Sequence, residues 1–172
     1  MRKLLTFDDV CMVPNYCEFE SRKDVDTSVT ISTKNAGNFT FAIPVVSSPM
    51  DTVTGYEMAV ALGDLGGLAI LHRFLSLDEL SSILNLLRSG KKDYVSTTGV
   101  AYGAGKKELE RVDLAYKLGF RIFCLDIAHA HSKAGGDAVE RVKNKYPDAL
   151  VIAGSVCTLA GADFLIGKGL IS

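Results

Sequence analysis

The chain has 172 residues, 48% of them hydrophobic and 23% charged, which is enough apolar material for one sizeable core. That balance excludes a disordered tail, a collagen-like fibre and a coiled coil. Lys and Arg number 19 against 20 Asp and Glu, a formal net charge of −1, so no basic surface for nucleic acid is indicated.

The N-terminal stretch MRKLLTFDDV has two basic residues, but Asp8 and Asp9 interrupt it too early for a signal peptide. Asp64 and Asp163 break the later apolar stretches below the roughly 18 uncharged residues of a membrane span. Four cysteines, Cys11, Cys17, Cys124 and Cys157, lack CxxC spacing. Neither a zinc site nor a disulfide framework is suggested, and reduced thiols in a cytoplasmic protein are expected.

Beyond an N-terminal arm (residues 1–40), short apolar runs recur: AIPVVSS (42–48), GLAILHR (67–73), YVSTTGVA (94–101), RIFCLDIA (121–128) and ALVIAGSV (149–156). Their starts are 25 to 28 residues apart. Each is near-continuously apolar, as strands buried on both faces are. Between them lie stripes at helical spacing: Leu77, Leu80, Ile83, Leu84 and Leu87; Leu109, Val112, Leu114, Ala115 and Leu118; Val139, Val142 and Tyr146. Gly90, Gly119 and Pro147 mark helix stops. The pattern predicts five βα units in series over residues 41–172. A doubly wound sheet and part of a (β/α)8 barrel both fit. No GxGxxG follows the first strand, which weakens the dinucleotide-fold reading, and a whole barrel needs about 250 residues.

In either architecture ligands bind at the carboxyl ends of the strands. Those ends carry Ser47, Ser48 and Met50; His72 and Arg73; the glycines between Gly99 and Gly105; Asp126, His129, His131 and Ser132; and Ser155 and Cys157. All three histidines of the chain lie there, which favours a binding face. Individual residues stay open. Asp126, like Ser132, could cap the next helix, or it could hold a ribose diol. His129 and His131 are too few for a metal site. The glycines could approach a phosphate or simply make a turn. Cys157 is either a nucleophile or a small buried filler.

The segments LTFDDVCMVP (5–14), VVSSPMDTVT (45–54), GGLAILHRF (66–74), LDIAHAHS (125–132) and VIAGSVCT (151–158) occur in that order. Together the chain resembles the IMP dehydrogenase and GMP reductase family. The resemblance implies a (β/α)8 TIM barrel, homo-oligomeric in full-length form, that binds a purine nucleotide and a nicotinamide cofactor at the strand carboxyl ends. Residues 87–94 leave no room for the CBS modules that the dehydrogenases usually insert, and the arm CEFESRKDVDTSV (17–29) is similar to GMP reductase. The expected activity is therefore NADPH-dependent reductive deamination of GMP to IMP. The alternative is NAD-dependent oxidation of IMP, to which VVSSPMDTVT is more similar.

Carried over by resemblance, Ser48, Met50 and Ser155 contact the nucleotide. Asp126, Ile127 and Ala128 hold the nicotinamide ribose, and Arg73 touches the cofactor. Ser21 and Arg22 reach NADPH in a neighbouring subunit, where an arginine suits a 2′-phosphate. Ser155 stands where the family has asparagine. Ala130 replaces a glycine and would be strained if that backbone needs positive φ. The family's nucleophilic cysteine, in a later GSxCxT loop, and the potassium site beside it have no counterpart in these 172 residues. GSVCT (154–158) is a decoy by register. The chain alone is expected to be an incomplete barrel and inactive: either the first part of such an enzyme, or a truncated, non-catalytic protein that binds nucleotide or joins a full-length partner.

Overall fold

The computed structural model describes residues 5–33, 35 and 37–170. The first four residues of the expected arm and the last two of the expected barrel segment lie outside them.

A two-stranded antiparallel hairpin comes first, β1 (Val29–Thr33) and β2 (Gly37–Phe41). Then follow α1 (Tyr56–Asp64), β3 (Ala69–Leu71), α2 (Leu77–Ser89), β4 (Thr98–Tyr102), α3 (Leu109–Lys117), β5 (Ile122–Asp126), α4 (Lys133–Lys145), β6 (Leu150–Gly154) and α5 (Leu159–Leu165). Strands β3 to β6 form one parallel sheet in sequential order. The helix-bearing connections that parallel neighbours require are supplied by α2, α3 and α4.

Strand side chains alternate between two apolar layers, as a period of two dictates. Ala69, Leu71, Val100, Tyr102, Phe123, Leu125 and Val151 join the buried residues of all five helices. Leu68, Ile70, Ala101, Ile122, Cys124 and Leu150 face the other way and pack with Phe41 and Phe39 of the hairpin. The helices therefore cover one face, whereas a doubly wound sheet has helices on both. The α2 stripe is borne out, with Leu80, Leu84 and Leu87 fully buried. Ser76 caps that helix in a reciprocal pair with Glu79. Gly119, at φ +100, ends α3 in a conformation that a side chain would resist.

The first predicted strand, residues 42–48, is reduced to one parallel bridge between Val46 and Leu68. Pro44 has no N–H to give. Leu68 N–H donates to the Val45 carbonyl (2.9 Å) and Ser47 N–H to the Leu68 carbonyl (3.0 Å). Then Ser47 Oγ, not a backbone carbonyl, accepts from Ile70 N–H (3.2 Å), and the ladder stops. The third predicted strand starts four residues late, because residues 95–97 form a 3-10 turn whose first N–H is taken by Asp93 (2.8 Å). Residues 90–97 connect α2 to β4 directly. No helix among the described residues is long and apolar enough to cross a membrane.

Candidate functional site at the strand carboxyl ends

Asp126 closes β5 on the same face as Ile122 and Cys124, with its register partner Gly154 closing β6. Pairing continues past the strands. Ser155 N–H donates to the Ile127 carbonyl and Ala130 N–H to the Ser155 carbonyl, each at 3.0 Å. These two bonds stitch the loop after β5 to the loop after β6 and bring Asp126, Ile127 and Ser155 together.

The helix-capping role falls to Ser132, whose Oγ accepts from Gly135 N–H (3.2 Å) at the start of α4. Asp126 is not a cap. Its Oδ2 lies 3.8 Å from Arg73 Nε, an ion pair too long for a hydrogen bond, with both side chains about one-third exposed (36% and 35%). Its carboxylate oxygens therefore stay available to a donor from solvent or ligand.

Ala130 is buried, and no non-glycine residue described has positive φ. The condition for strain at that position, a positive φ, is not met. The close approach there is made instead by Gly135, where a Cβ would collide with the Ala130 carbonyl.

At the end of β3 His72 is buried, and Arg73 lays its guanidinium over the Phe74 ring, 4.8 Å from the centroid. Arg111, from the first turn of α3, reaches across to donate to the Leu75 carbonyl (2.5 Å). This residue was not legible in the sequence. It adjoins Val112 at a position that periodicity assigns to solvent, yet it is 7% exposed.

Ser48 and Met50 are exposed at the neighbouring edge, in a turn closed by Met50 N–H to the Ser48 carbonyl (2.8 Å). Buried Thr54 braces that turn, its hydroxyl 2.6 Å from the Ser48 carbonyl and 2.9 Å from Ser47 Oγ. Ser21 and Arg22 sit in the exposed turn at Arg22–Asp24, and their hydrogen bonds stay within it. Among the described residues nothing joins them to the rim.

The chain turns after β4, and one glycine N–H there is already occupied. Gly103 N–H is taken by Glu108 Oε2 (2.9 Å). His129 and His131 are exposed, their rings 6.2 Å apart. Among the described residues no three His, Cys, Asp or Glu side chains gather as a metal site.

Of the thiols, Cys157 is exposed, just before the Thr158 cap of α5, so it is not a buried filler. Cys124 is buried on the inner face. Desolvation, with the Asp126 charge added, pushes it up to about 12, so it stays a thiol at neutral pH.

The site is thus a carboxylate, a guanidinium, a hydroxyl and exposed backbone at one end of a parallel sheet. Such a set offers acceptors to hydroxyl groups and donors to anions. Residues 4–171 match the family model described as IMP dehydrogenase / GMP reductase domain. The chain is 29% identical to GMP reductase 1 of Rattus norvegicus over 96% of this chain and 50% of that protein. It is 32% identical to the GMP reductase of Helicobacter pylori over 91% of this chain and 45% of that protein. It is 32% identical to the GMP reductase of Oceanobacillus iheyensis over 92% of this chain and 46% of that protein. The chain therefore spans about half the length of the curated relatives it matches. With a model match running through every described residue, the chain belongs to the IMP dehydrogenase / GMP reductase family.

Proposed function

We propose that the chain forms the first five βα units of a (β/α)8 TIM barrel in a GMP reductase-like oxidoreductase that converts GMP to IMP with NADPH. The observation that carries this is the Asp126 carboxylate, held between Arg73 and the Ser155 loop at the strand carboxyl ends of a chain whose named relatives are GMP reductases. The helix-free inner face of the sheet supports a barrel, and the short connection over residues 90–97 supports a protein without CBS modules.

The residues present fit a nicotinamide dinucleotide. Asp126 has carboxylate oxygens free to accept from two adjacent ribose hydroxyls. Arg73 Nε is buried without a hydrogen-bond partner. In this assignment Asp126 fixes the nicotinamide ribose, with Ile127 and Ala128 lining it and Arg73 beside it. Ser48, Met50 and Ser155 hold the purine nucleotide. Ser155 offers one hydroxyl where a family asparagine offers an amide, so its grip on the nucleotide is shorter and simpler. Ser21 and Arg22, remote from the rim within one chain, serve the cofactor of a neighbouring subunit in a homo-oligomer. The bound cofactor supplies a hydride. The covalent step and the potassium site belong to a later cysteine loop, and Cys157 has no part in it. Four free cysteines fit a cytoplasmic enzyme. One observation favours the dehydrogenase direction, NAD-dependent oxidation of IMP, and that is the VVSSPMDTVT segment.

The test is a titration of the 172-residue chain with NADPH and NADH, read by nicotinamide fluorescence. It is followed by addition of GMP to this chain and to a chain extended by the second half of a barrel. We expect saturable binding, tighter for NADPH, and NADPH oxidation by the extended chain alone. Tighter NADH binding, with IMP oxidised by the extended chain, would transfer the assignment to the dehydrogenase. Absence of either reaction in the extended chain would overturn it.

A further inference from the structure

The rim occupies one end of the parallel sheet. At the opposite end, where β4 and β5 begin, the β1–β2 hairpin packs against the strands and leaves a cavity of about 410 Å³. That volume lies in the range of small-molecule sites, and nothing in the proposed reaction uses it.

The walls of the cavity differ in character. Phe39 of β2 and Ile122 of β5 belong to one apolar layer, and half-buried Val95 borders the same space. A second wall is backbone. β2 belongs to a two-stranded sheet, so one of its edges has no strand partner. The amide groups of successive residues in a strand point to alternate edges. Ala42 N–H, in phase with those of Asn38 and Thr40, turns away from β1 to the Gly66 carbonyl (2.8 Å). Asn38 and Thr40 therefore present N–H and C=O groups to the free edge, and both border the cavity.

Polar side chains complete it. Asp93 Oδ1 accepts from Val95 N–H (2.8 Å), which holds the carboxylate in place. Among the described residues Asp93 Oδ2 and the exposed Ser96 hydroxyl have no hydrogen-bond partner, and Asp93 forms no ion pair. Arg121 also borders the cavity, but its guanidinium is held elsewhere. Nε donates to Asp148 (3.0 Å), Nη1 donates to the Tyr116 and Phe120 carbonyls (3.0 Å each), and the group lies 3.7 Å over the Tyr116 ring.

We propose that this cavity binds an uncharged heterocycle of nucleobase or nucleoside size that carries an amino group. The free strand edge complements a ring with neighbouring donor and acceptor atoms. The Asp93 carboxylate accepts from the amino group, as carboxylates do from the amino group of cytosine. Phe39 and Ile122 cover the apolar body of the ring. A phosphorylated ligand is disfavoured, because the Asp93 carboxylate repels it and the bordering cation is already paired. The site stands apart from the rim and does not rest on the cofactor reading.

The experiment is a calorimetric titration of the 172-residue chain with cytidine as the probe, beside uridine and cytidine monophosphate. Cytidine is expected to bind saturably, and uridine, which lacks the amino group, roughly tenfold more weakly. Cytidine monophosphate is expected to bind more weakly than cytidine. Asp93→Asn keeps an acceptor for Val95 N–H but removes the charge, and it should weaken cytidine binding roughly tenfold. Ser96→Phe, at an exposed position, should fill the space and abolish binding. Lys91→Met and Asp126→Ala, both outside the cavity, should bind cytidine as wild type does. If Asp93→Asn does not fold, Ser96→Phe gives the readout. Absence of saturable cytidine binding overturns the site, as does equal binding by wild type and both cavity variants. Uridine bound as tightly as cytidine overturns the role of Asp93. Cytidine binding lost in Asp126→Ala but kept in Ser96→Phe places the ligand at the rim and overturns the cavity. NADPH binding without cytidine binding overturns the cavity alone and leaves the cofactor reading standing.

Discussion

Asp126 stands on the inner face because Ile122 and Cys124 do, two and four residues earlier on the same strand. Burial of those two fixes where the carboxylate points, and the carboxylate itself contributes little to stability. Its pair with Arg73 is long and partly exposed, so Asp126→Asn is expected to change stability by less than about 1 kcal/mol. The same change should weaken NADPH binding roughly tenfold or more, as loss of charge-assisted hydrogen bonds does. Urea titration and nicotinamide fluorescence check the two halves of that statement. Tyr102 makes the converse case. Its hydroxyl is buried without a partner, and desolvation raises its pKa, so Tyr102→Phe is expected to be neutral or stabilising by up to about 1 kcal/mol. Loss of stability in that variant would reveal a hidden partner. The strand-end positions of Asp126 and Arg73 could be read from the sequence, and their roles only from the family resemblance. Arg111 stayed hidden because a buried arginine on a helix shows no periodicity of its own, and only the tertiary contact with Leu75 discloses it.

At the scale of elements, the helices follow from apolar spacing and caps. Truncating fully buried Leu84 to alanine should cost about 2–5 kcal/mol in a denaturation experiment. Polar ties then fix α3 against α4. Asp113 accepts from Lys145 (2.7 and 2.8 Å) and from Tyr146 Oη (2.7 Å), while Tyr116 stacks on Tyr146 at 3.9 Å and donates to Asp148. Partial burial pushes the Asp113 carboxyl upward, but the bonds from Lys145 and Tyr146 and the nearby lysine charges hold it below the ordinary carboxylate value. A carboxylate depressed in the folded state stabilises above its unfolded pKa. That contribution is lost as pH falls through the folded value. Acid melting between about pH 4 and 2 should therefore be shallower in Asp113→Asn than in wild type. Equal slopes would place the acid sensitivity elsewhere. The strands were less legible than the helices. Residues 42–48 have the composition of a strand, yet Pro44 and the Ser47 hydroxyl remove the backbone pairing. The hairpin of β1 and β2 was absorbed into an arm, since its mostly exposed, polar strands carry only a faint alternation at Val29, Ile31, Phe39 and Phe41.

For the whole molecule, the even spacing of apolar runs foretold a series of parallel βα units, and four of those runs form the sheet in chain order. Which face the helices cover was not readable, because strands buried on both sides show no alternation in hydrophobicity. The packing layers answer it, and with the helices on one side the polar residues after the strands share one rim. The chain spans about half the length of the curated relatives it matches, and the role proposed above for this rim is binding. The most direct test of that claim is the NADPH titration run side by side on wild type and Asp126→Ala. Saturable binding by wild type, weakened roughly tenfold or more in the variant, is the predicted result. Equal affinity of the two proteins would contradict the assignment of the rim as the nicotinamide site.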